Sequence, residues 1–370
     1  MTCQGCKLPE SLAALDYAFL WPPQGHTQAK IARYLEAQDY RFETHAAESY
    51  LKVHGADSNR FIVGLIGVLS ESERRDTRIL MTDSEAPGLG EFGNVVTLDR
   101  MMARMRGDWL IALLSERRYT SFRQPIVSLE EGFRPVGHEY LFRGLDEAGE
   151  VISPAALFES ASDPRILFNL DRAARLSAVE TAAALPGREK IFINFMPGSV
   201  YDPGVCLRTT VSAIVEAGIA PERVIFEIVE SERIQDLAHL RGIVNFYREA
   251  GFRIALDDYG SGFNNIDTLM MLEPDYLKLD KSLVRQMAEG GEDKRDLVEM
   301  LAERCRKNGI RTIGEGVEDG ETAQLLRASG IDFAQGYYFG RPLPPDEVRA
   351  RHTAADPAAT AARQSARAAG

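Results

Sequence analysis

Short apolar segments alternate with longer amphipathic segments from about residue 122 onward, and this alternation restricts the possible folds more than any other feature of the sequence. The apolar segments predict strands at 122–129, 138–143, 190–195, 224–229, 253–258, 276–280, 311–317 and 333–339. The intervening segments predict helices at 171–184, 237–250, 293–308 and 320–329. Eight strands that alternate with helices favour a (β/α)8 barrel over an open sheet.

The first two predicted strands are connected differently from the others. Only residues 130–136 separate them, which leaves no room for a helical crossover, so these strands are expected to pair antiparallel. We therefore predict an α/β fold, a modified TIM (β/α)8 barrel with one antiparallel strand. A chain of 370 residues also has room for a second domain, and we expect a small α/β regulatory domain before the barrel.

The residues that precede the barrel carry no motif that identifies a ligand. We predict a strand at 16–21, a helix at 27–38 with Ile31 and Leu35 on one face, and further strands at 60–69 and 78–83. Residues 98–117 place apolar side chains at helical spacing and predict a connecting helix. The predicted organisation is a small α/β domain at 1–97, a connecting helix at 98–118, the barrel at 119–348 and a disordered tail at 349–370.

Charge and apolar content exclude several classes of protein. The net charge of −12 disfavours binding of long nucleic acid, which requires a basic surface. We find no apolar run long enough to span a bilayer and no signal-peptide pattern at the N-terminus. The 4 cysteines are few for a disulfide scaffold and favour a reducing compartment, so we expect a cytoplasmic protein.

Two of the cysteines form a short motif at the N-terminus. Cys3 and Cys6 make a CxxC without a second CxxC, which is half of a typical zinc site. Incidental exposed thiols, a metal site completed by other ligands and a redox pair all remain open.

The predicted barrel strands carry polar side chains within otherwise apolar sequence. A barrel strand that is buried under helices rarely holds an ionisable group unless that group is paired or bound to metal. Because active sites of such barrels lie at the carboxyl ends of the strands, we expect these side chains to converge there. They are Glu139, Asn194, Glu227, Asp257, Asp258, Lys278, Glu315 and Gln335.

The candidate ligands in this set are hard oxygen donors. Carboxylate and amide oxygens select Mg2+ or Mn2+ over zinc or copper. The adjacent carboxylates of Asp257 and Asp258 can share two ions, an arrangement suited to displacement at a phosphodiester. Lys278 supplies a positive charge that could position a nucleophile or assist proton transfer, and Arg143 can hold a phosphate oxygen.

The spacing of these residues resembles a known family. Residues 139–143, read as EYLFR, resemble the E-x-L-x-R signature of EAL-domain cyclic-di-GMP phosphodiesterases. Further motifs follow in the family's order, namely Asn194, FEIVE at 226–230, DDYGSG at 257–262, KLD at 278–280, GEGVE at 314–318 and QGYYFG at 335–340. The resemblance covers about residues 120–345. Tyr140 stands where the family's name-giving alanine is, and it should point away from the metal face.

The resemblance implies hydrolysis of cyclic di-GMP, a bacterial second messenger, to linear pGpG with two Mg2+ or Mn2+ ions per active site. It implies that Glu139, Asn194, Glu227 and Asp257 bind one metal, that Asp257 bridges to the second beside Asp258, and that Glu315 acts at the second. Lys278 would orient or activate water, and Arg143 would bind phosphate. Positions of substrate contact or support are Gln124, Leu141, Arg143, Asp171, Asp280, Glu318 and Gln335.

Two further expectations concern assembly and regulation. Glu230 resembles the glutamate that braces the loop after Asp258, and the resemblance implies a homodimer with the loop near Glu230 and Ser261 close to the interface. We expect the N-terminal domain to regulate the barrel. A receptor that binds the nucleotide without hydrolysis is the principal alternative, and a barrel that hydrolyses another phosphoester is a further one.

Overall fold

The computed structural model describes residues 8–9, 15–45, 47, 49–55, 58–185, 187–228, 237–260 and 266–355. The chain forms two compact units. One consists of residues 1–118 with 152–170, and the other of residues 119–151 with 171–370. Cys3 and Cys6 lie outside the described residues.

The first unit contains an antiparallel sheet with the strand order β2-β3-β1-β4-β5. In chain order the unit begins β1-α1-β2-β3-α2, and its central strand β1 pairs antiparallel with both β3 and β4. This is the split β-α-β arrangement, in which the helices cover one face of the sheet. The elements are β1 Tyr17–Trp21, α1 Gly25–Ala37, β2 Phe42–His45, β3 Tyr50–His54, α2 Ser58–Val68, α3 Glu71–Asp76, β4 Arg78–Thr82 and β5 Val96–Thr97.

The strand predicted at 60–69 is wrong, because residues 60–68 belong to helix α2. Phe61, Ile62 and Leu65 are buried at helical spacing, whereas Val63 is 63% exposed. A short run that is apolar on nearly all sides does not distinguish a strand from a buried helix by periodicity. The strands β2 and β3 were not predicted, because their polar alternation gives a weak signal over so few residues.

The connecting helix predicted at 98–118 is two helices, α4 Leu98–Arg106 and α5 Asp108–Ser115. They meet at Gly107, where an added Cβ atom would lie only 2.9 Å from the carbonyl oxygen of Ser160. The backbone of another segment therefore occupies the place of a side chain at this position.

The second unit is built on a closed barrel of eight strands. The barrel order is β6-β14-β13-β12-β11-β10-β9-β7, and β7 pairs back with β6. Strand β6 is antiparallel to both of its neighbours, and the other pairings around the barrel are parallel, which confirms the predicted barrel with one antiparallel strand. The strands are β6 Tyr119–Ser128, β7 Pro135–Leu145, β9 Lys190–Phe195, β10 Val224–Ile228, β11 Arg253–Tyr259, β12 Tyr276–Leu279, β13 Arg311–Gly314 and β14 Phe333–Gln335.

A short strand, β8 Val151–Ile152, extends the sheet beside β7. The last helix, α15 Pro345–Ala355, includes residues 349–355, which we predicted to lie in the disordered tail. None of the helices among the described residues has the length and apolar character to cross a membrane. The helices are α6 Pro154–Ser160, α7 Pro164–Ala184, α8 Pro203–Cys206, α9 Arg208–Glu216, α10 Leu237–Glu249, α11 Ile266–Leu272, α12 Lys281–Ala288, α13 Glu292–Lys307, α14 Gly320–Ala328 and α15 Pro345–Ala355.

A layer of apolar side chains fills the barrel and fixes where the polar side chains lie. The layer contains a buried cluster from five strands, and the partly buried Tyr276 packs against it. Along parallel strands, side chains two positions apart share a face. Four of the buried residues therefore have a candidate site residue directly above them, towards the carboxyl ends of the strands. The cluster is Ile126, Phe192, Ile225, Ala255 and Ile313.

We predict that Gly336→Ala destabilises the barrel. A Cβ atom at this position would lie 2.0 Å from the carbonyl oxygen of Val317 and 2.3 Å from its backbone nitrogen, so the backbone must shift. Overpacking of this kind costs about 1–3 kcal/mol, which lowers the melting temperature by several degrees. The matched control is Gly242→Ala in helix α10, where an added Cβ atom meets nothing within 4 Å. It should stabilise the chain by about 0.5–1 kcal/mol. Equal melting temperatures for the two variants would contradict the packing argument.

Candidate active site

The polar side chains predicted from the strands meet at the carboxyl-terminal rim of the barrel. They are arranged around the ammonium group of Lys278, whose side chain is only 1% exposed. Its Nζ atom lies 2.7 Å from Glu315 Oε1, 3.0 Å from Asp257 Oδ1, 3.1 Å from Glu227 Oε1 and 3.7 Å from Glu139 Oε2. One buried cation is thus surrounded by four carboxylates, each of which comes from a different strand or strand end.

Two amide side chains orient the carboxylate of Glu139. Asn194 donates from Nδ2 to Glu139 Oε1 at 2.7 Å, and Gln335 donates from Nε2 to Glu139 Oε2 at 2.7 Å. The same Gln335 nitrogen lies 3.1 Å from Gln124 Oε1, and Gln124 donates to the carbonyl oxygen of Gly340. These bonds join β6, β7, β9 and β14, so the position of Glu139 is fixed from both sides.

The strand exit at Asp257 and Asp258 is irregular. The pairing of β11 with β12 shifts register between Leu256 and Tyr259, which is typical of a bulge that redirects a side chain. Asp258 has a φ of 53°, in the left-handed region, and its backbone nitrogen donates to Asp257 Oδ1 at 3.0 Å. This conformation is costly for a residue other than glycine and is often found at functional sites.

The pKa values in the cluster follow from burial and from mutual repulsion. Burial raises the pKa of Glu315 to about 8, with Lys278 opposing the shift and the neighbouring carboxylates adding to it. Burial and Asp257 raise the pKa of Asp258 to about 6. Burial also raises the pKa of Glu227 well above its usual range, whereas Glu139 has a lowered pKa because Lys278 and the two amides outweigh its burial. The cluster therefore holds more negative charge than one lysine compensates.

The residues present fit divalent cations. Oxygen atoms of Asp257, Asp258 and Glu315 lie within 4.8 Å of one another. Glu227 is fully buried, and the Lys278 ammonium, which lies 3.1 Å from its Oε1 atom, is shared with three other carboxylates. A buried carboxylate is expensive unless cations compensate its charge. The donor set is carboxylate and amide oxygen, which suits Mg2+ or Mn2+.

A cleft of about 290 Å3 opens onto the cluster. Five predicted site residues line it, and Lys281 and Tyr337 line it without having been predicted. Tyr337 is 52% exposed, and the guanidinium of Arg341 lies 4.1 Å from the centre of its ring. A lysine and an exposed aromatic ring suit a ligand with phosphate and a planar base. The predicted residues that line the cleft are Gln124, Glu139, Glu315, Glu318 and Gln335.

Arg143 and Leu141 share the face of β7 that carries Glu139. Both are half-buried. The Arg143 guanidinium lies 5.3 Å from the centre of the Phe122 ring and donates to the carbonyl oxygen of Phe142. Tyr140, the departure from the family signature, alternates away and is 6% exposed.

Two residues predicted to contact substrate have their carboxylates engaged elsewhere. Asp171 is 1% exposed and accepts hydrogen bonds from Met196, Ser199 and Arg175. Asp280 caps helix α12, where it accepts hydrogen bonds from the backbone nitrogen and the hydroxyl of Ser282. Of the two roles that the resemblance allows, contact with substrate or support of the site, these hydrogen bonds favour support for both residues. Glu230 and Ser261 lie outside the described residues.

Comparison with protein families finds a match over the barrel. The family model described as "EAL domain" matches residues 108–342, which is more than half of the chain. The matched region contains the barrel strands β6 to β14 and the carboxylates around Lys278.

Named relatives share this region. The chain is 27% identical over 278 residues to "Cyclic di-GMP phosphodiesterase PdeB" of Shewanella oneidensis, covering 73% of this chain and 32% of that protein. It is 32% identical over 232 residues to "Probable cyclic di-GMP phosphodiesterase PdeG" of Escherichia coli, covering 60% of this chain and 44% of that protein. The chain therefore spans less than half the length of these relatives.

A solved structure has the same architecture. It is a standalone EAL protein from Vibrio cholerae O395 in its c-di-GMP-bound form, with 30% sequence identity and a TM-score of 0.56. The similarity covers 61% of this chain and 93% of that one.

We predict that Lys278→Met lowers the stability of the metal-free protein and increases its response to divalent cations. Removal of the ammonium leaves four carboxylates without their shared counterion, and breaking a buried ion pair costs about 3–5 kcal/mol. Thermal unfolding should show a lower melting temperature, and Mn2+ should raise it by more than in the parent.

Adding Glu227→Gln to Lys278→Met should recover part of the lost stability, because it removes one of the repelling charges. A melting temperature unchanged by Lys278→Met would contradict this account of the cluster.

A pH prediction comes from His138, which lies beside Glu139 but faces Arg123. Its Nε2 atom is 2.8 Å from Arg123 Nη2, and burial together with this arginine lowers the pKa of His138 to about 3. Below pH 6.5 the unfolded chain takes up a proton on His138 that the folded chain does not. The free energy of unfolding therefore decreases as the pH is lowered. The loss should reach about 2 kcal/mol between pH 7 and pH 5.

Urea unfolding of His138→Leu at both pH values should show a smaller loss of stability than the parent. The control is His26→Ala, whose parent side chain is 62% exposed. If His138→Leu kept the full pH dependence of the parent, His138 would not be its source.

Proposed function

The chain belongs to the EAL domain family, and from this premise we propose that it hydrolyses one 3′–5′ phosphodiester bond of cyclic di-GMP to give linear pGpG. The observation that carries the proposal is the set of four strand-borne carboxylates around Lys278 beside an open cleft. All of the carboxylates that the family resemblance requires are present. A nucleotide receptor without activity would have no need for so costly a concentration of buried charge.

We propose that Glu139, Asn194, Glu227, Asp257, Asp258 and Glu315 hold two divalent cations, Mg2+ or Mn2+. When bound, the ions supply positive charge for the phosphate oxygens and lower the pKa of an attacking water. The cyclic dinucleotide carries two negative charges and would otherwise be repelled by the acidic rim.

The chain's own residues then have separate tasks. Lys278 neutralises the carboxylates and orients the attacking water from below. Glu315, at the rim beside Lys278, would act on that water through the second ion or by taking up its proton. Arg143 binds a phosphate oxygen, and the Gln124–Gln335 pair keeps Glu139 in its orientation.

We also propose a homodimer and a cytoplasmic location. The dimer is supported by the family resemblance. The location is supported by Cys206 and Cys305, which are buried free thiols, as expected of a reducing compartment.

Turnover of cyclic di-GMP tests the proposed activity. With Mg2+ or Mn2+ present, the parent should release pGpG, and Glu139→Ala or Asp257→Ala should reduce the rate by at least about 100-fold, because each removes charge that acts on the reacting phosphate. Product formation by chromatography is the measurement.

The control is Asp275→Asn. Asp275 directly precedes β12 and pairs at 2.8 Å with Arg253, the first residue of β11, at the end of the strand remote from Asp257. The variant should retain turnover close to that of the parent. Tight binding of cyclic di-GMP with no hydrolysis under either metal would instead establish a receptor, and hydrolysis of other phosphodiesters in preference would change the substrate.

We propose further that the N-terminal unit regulates the barrel, and a core substitution in that unit tests the coupling. Phe61→Ala removes a fully buried ring from its core and should destabilise the unit by about 3–5 kcal/mol. Turnover should change as this unit unfolds, at temperatures where the barrel remains folded. Val63→Ala, on the same helix but 63% exposed in the parent, is the control. Identical turnover for both variants across this temperature range would exclude regulation by the fold of this unit.

A further inference from the structure

A buried ion pair outside the carboxylate cluster connects helix α7 to the loop that follows Asn194. Asp171 and Arg175 are 1% and 0% exposed and lie one turn apart on the helix. Arg175 donates to Asp171 Oδ2 from Nε at 3.1 Å and from Nη2 at 2.9 Å. A fully buried pair is costly to desolvate, so it is weak as a stabilising device.

The remaining hydrogen bonds of Asp171 go to one short segment. Its Oδ1 atom accepts from the backbone nitrogen of Met196 at 2.9 Å, and its Oδ2 atom accepts from the hydroxyl of Ser199 at 2.9 Å. These residues begin two positions after Asn194, at the point where β9 ends. The carboxylate therefore holds the backbone that continues directly from a proposed metal ligand.

Arg175 extends this connection to a second helix. Its Nη1 atom donates to the hydroxyl of Thr210, a residue of α9 that is 0% exposed. The loop between β9 and α9 is thus attached at both ends, by Asp171 near Met196 and by Arg175 near Thr210.

At the other end of this connection, Asn194 contributes directly to the cluster. Its Nδ2 atom donates to Glu139 Oε1 at 2.7 Å, so the position of Asn194 also sets the orientation of Glu139. A displacement of Met196 would move both proposed ligands relative to Lys278. Residues that fix a ligand through hydrogen bonds of this kind commonly change metal affinity 10- to 100-fold when they are altered.

We propose that Asp171 and Arg175 are positioning residues that set the metal affinity of the site through the Met196–Ser199 segment, and that neither contacts substrate. This inference rests on the proposed metal site but not on turnover, because binding of Mn2+ can be measured without substrate.

The test compares Asp171→Ala, Arg175→Met and the double variant in the full chain, by calorimetric titration with Mn2+ and by thermal unfolding. Asp171→Ala leaves the Arg175 charge buried and unpaired, so both stability and Mn2+ affinity should fall, the affinity by about 10- to 100-fold. The double variant removes both charges. It should recover stability while its Mn2+ affinity stays low, because the hydrogen bonds to Met196 and Ser199 remain absent.

The control for damage to the helix is Ser177→Ala on α7, which removes a buried hydroxyl that accepts a hydrogen bond from Ser121. It should lower stability and leave Mn2+ affinity unchanged. Recovery of both stability and Mn2+ affinity in the double variant would overturn the proposal, because Asp171 would then act only on stability.

Turnover distinguishes a positioning role from substrate contact. At saturating Mn2+, kcat of the double variant should return to within a few-fold of the parent and KM for cyclic di-GMP should be unchanged. A raised KM with normal Mn2+ affinity would restore Asp171 to the substrate site and overturn the inference. Failure of the parent to hydrolyse cyclic di-GMP would contradict the proposed function alone, since the titration with Mn2+ would still decide this inference.

Discussion

The site depends on one electrostatic arrangement, in which the ammonium of Lys278 is enclosed by four carboxylates in the upper part of the barrel. Without that cation the carboxylates could not remain ionised beside one another at such depth. One ammonium balances only one of the four carboxylate charges, and burial together with the neighbouring carboxylates raises the pKa values of Glu227 and Glu315. The folded chain therefore has an excess of buried negative charge that bound cations can neutralise. The proposed chemistry depends on those cations.

The barrel supplies the geometry for this arrangement in a simple way. The strands are buried on both faces, which is why β10 has the all-buried sequence VIFEI. Alternation places Ile225 and Glu227 on the same face, one in the apolar layer and the other in the charged layer above it. On β11, Ala255 and Asp257 likewise lie on the same face, with Ala255 in the apolar layer and Asp257 in the charged layer above it. The apolar layer below keeps water from the cluster and strengthens every charge interaction within it.

Much of this could be predicted from the sequence, and the exceptions have physical causes. The barrel strands were predictable because parallel buried strands are continuous apolar runs, and one polar residue in each run is conspicuous. Helix α2 was mistaken for a strand because its sequence is apolar on nearly all sides.

Two features of the site could not be predicted, because no sequence pattern indicates them. The hydrogen-bonding role of Asp171 depends on a partner 25 residues away, and no local pattern reveals such a contact. Lys281 and Tyr337 reach the cleft from the residues after β12 and β14, where side-chain direction is not set by alternation. Residues of this kind become visible only when the fold is known.

The direction of β6 has a consequence for how the barrel is connected to the chain before it. In a barrel of parallel strands, the first strand begins at the end remote from the catalytic rim. Here β6 runs the opposite way, and Tyr119 pairs with Gly144, immediately beyond Arg143. The polypeptide thus enters the barrel at the rim where the carboxylates surround Lys278, and five residues later it supplies Gln124 to the cleft. A displacement of the chain before Tyr119 would therefore act directly on this rim, without having to cross the packed interior of the barrel.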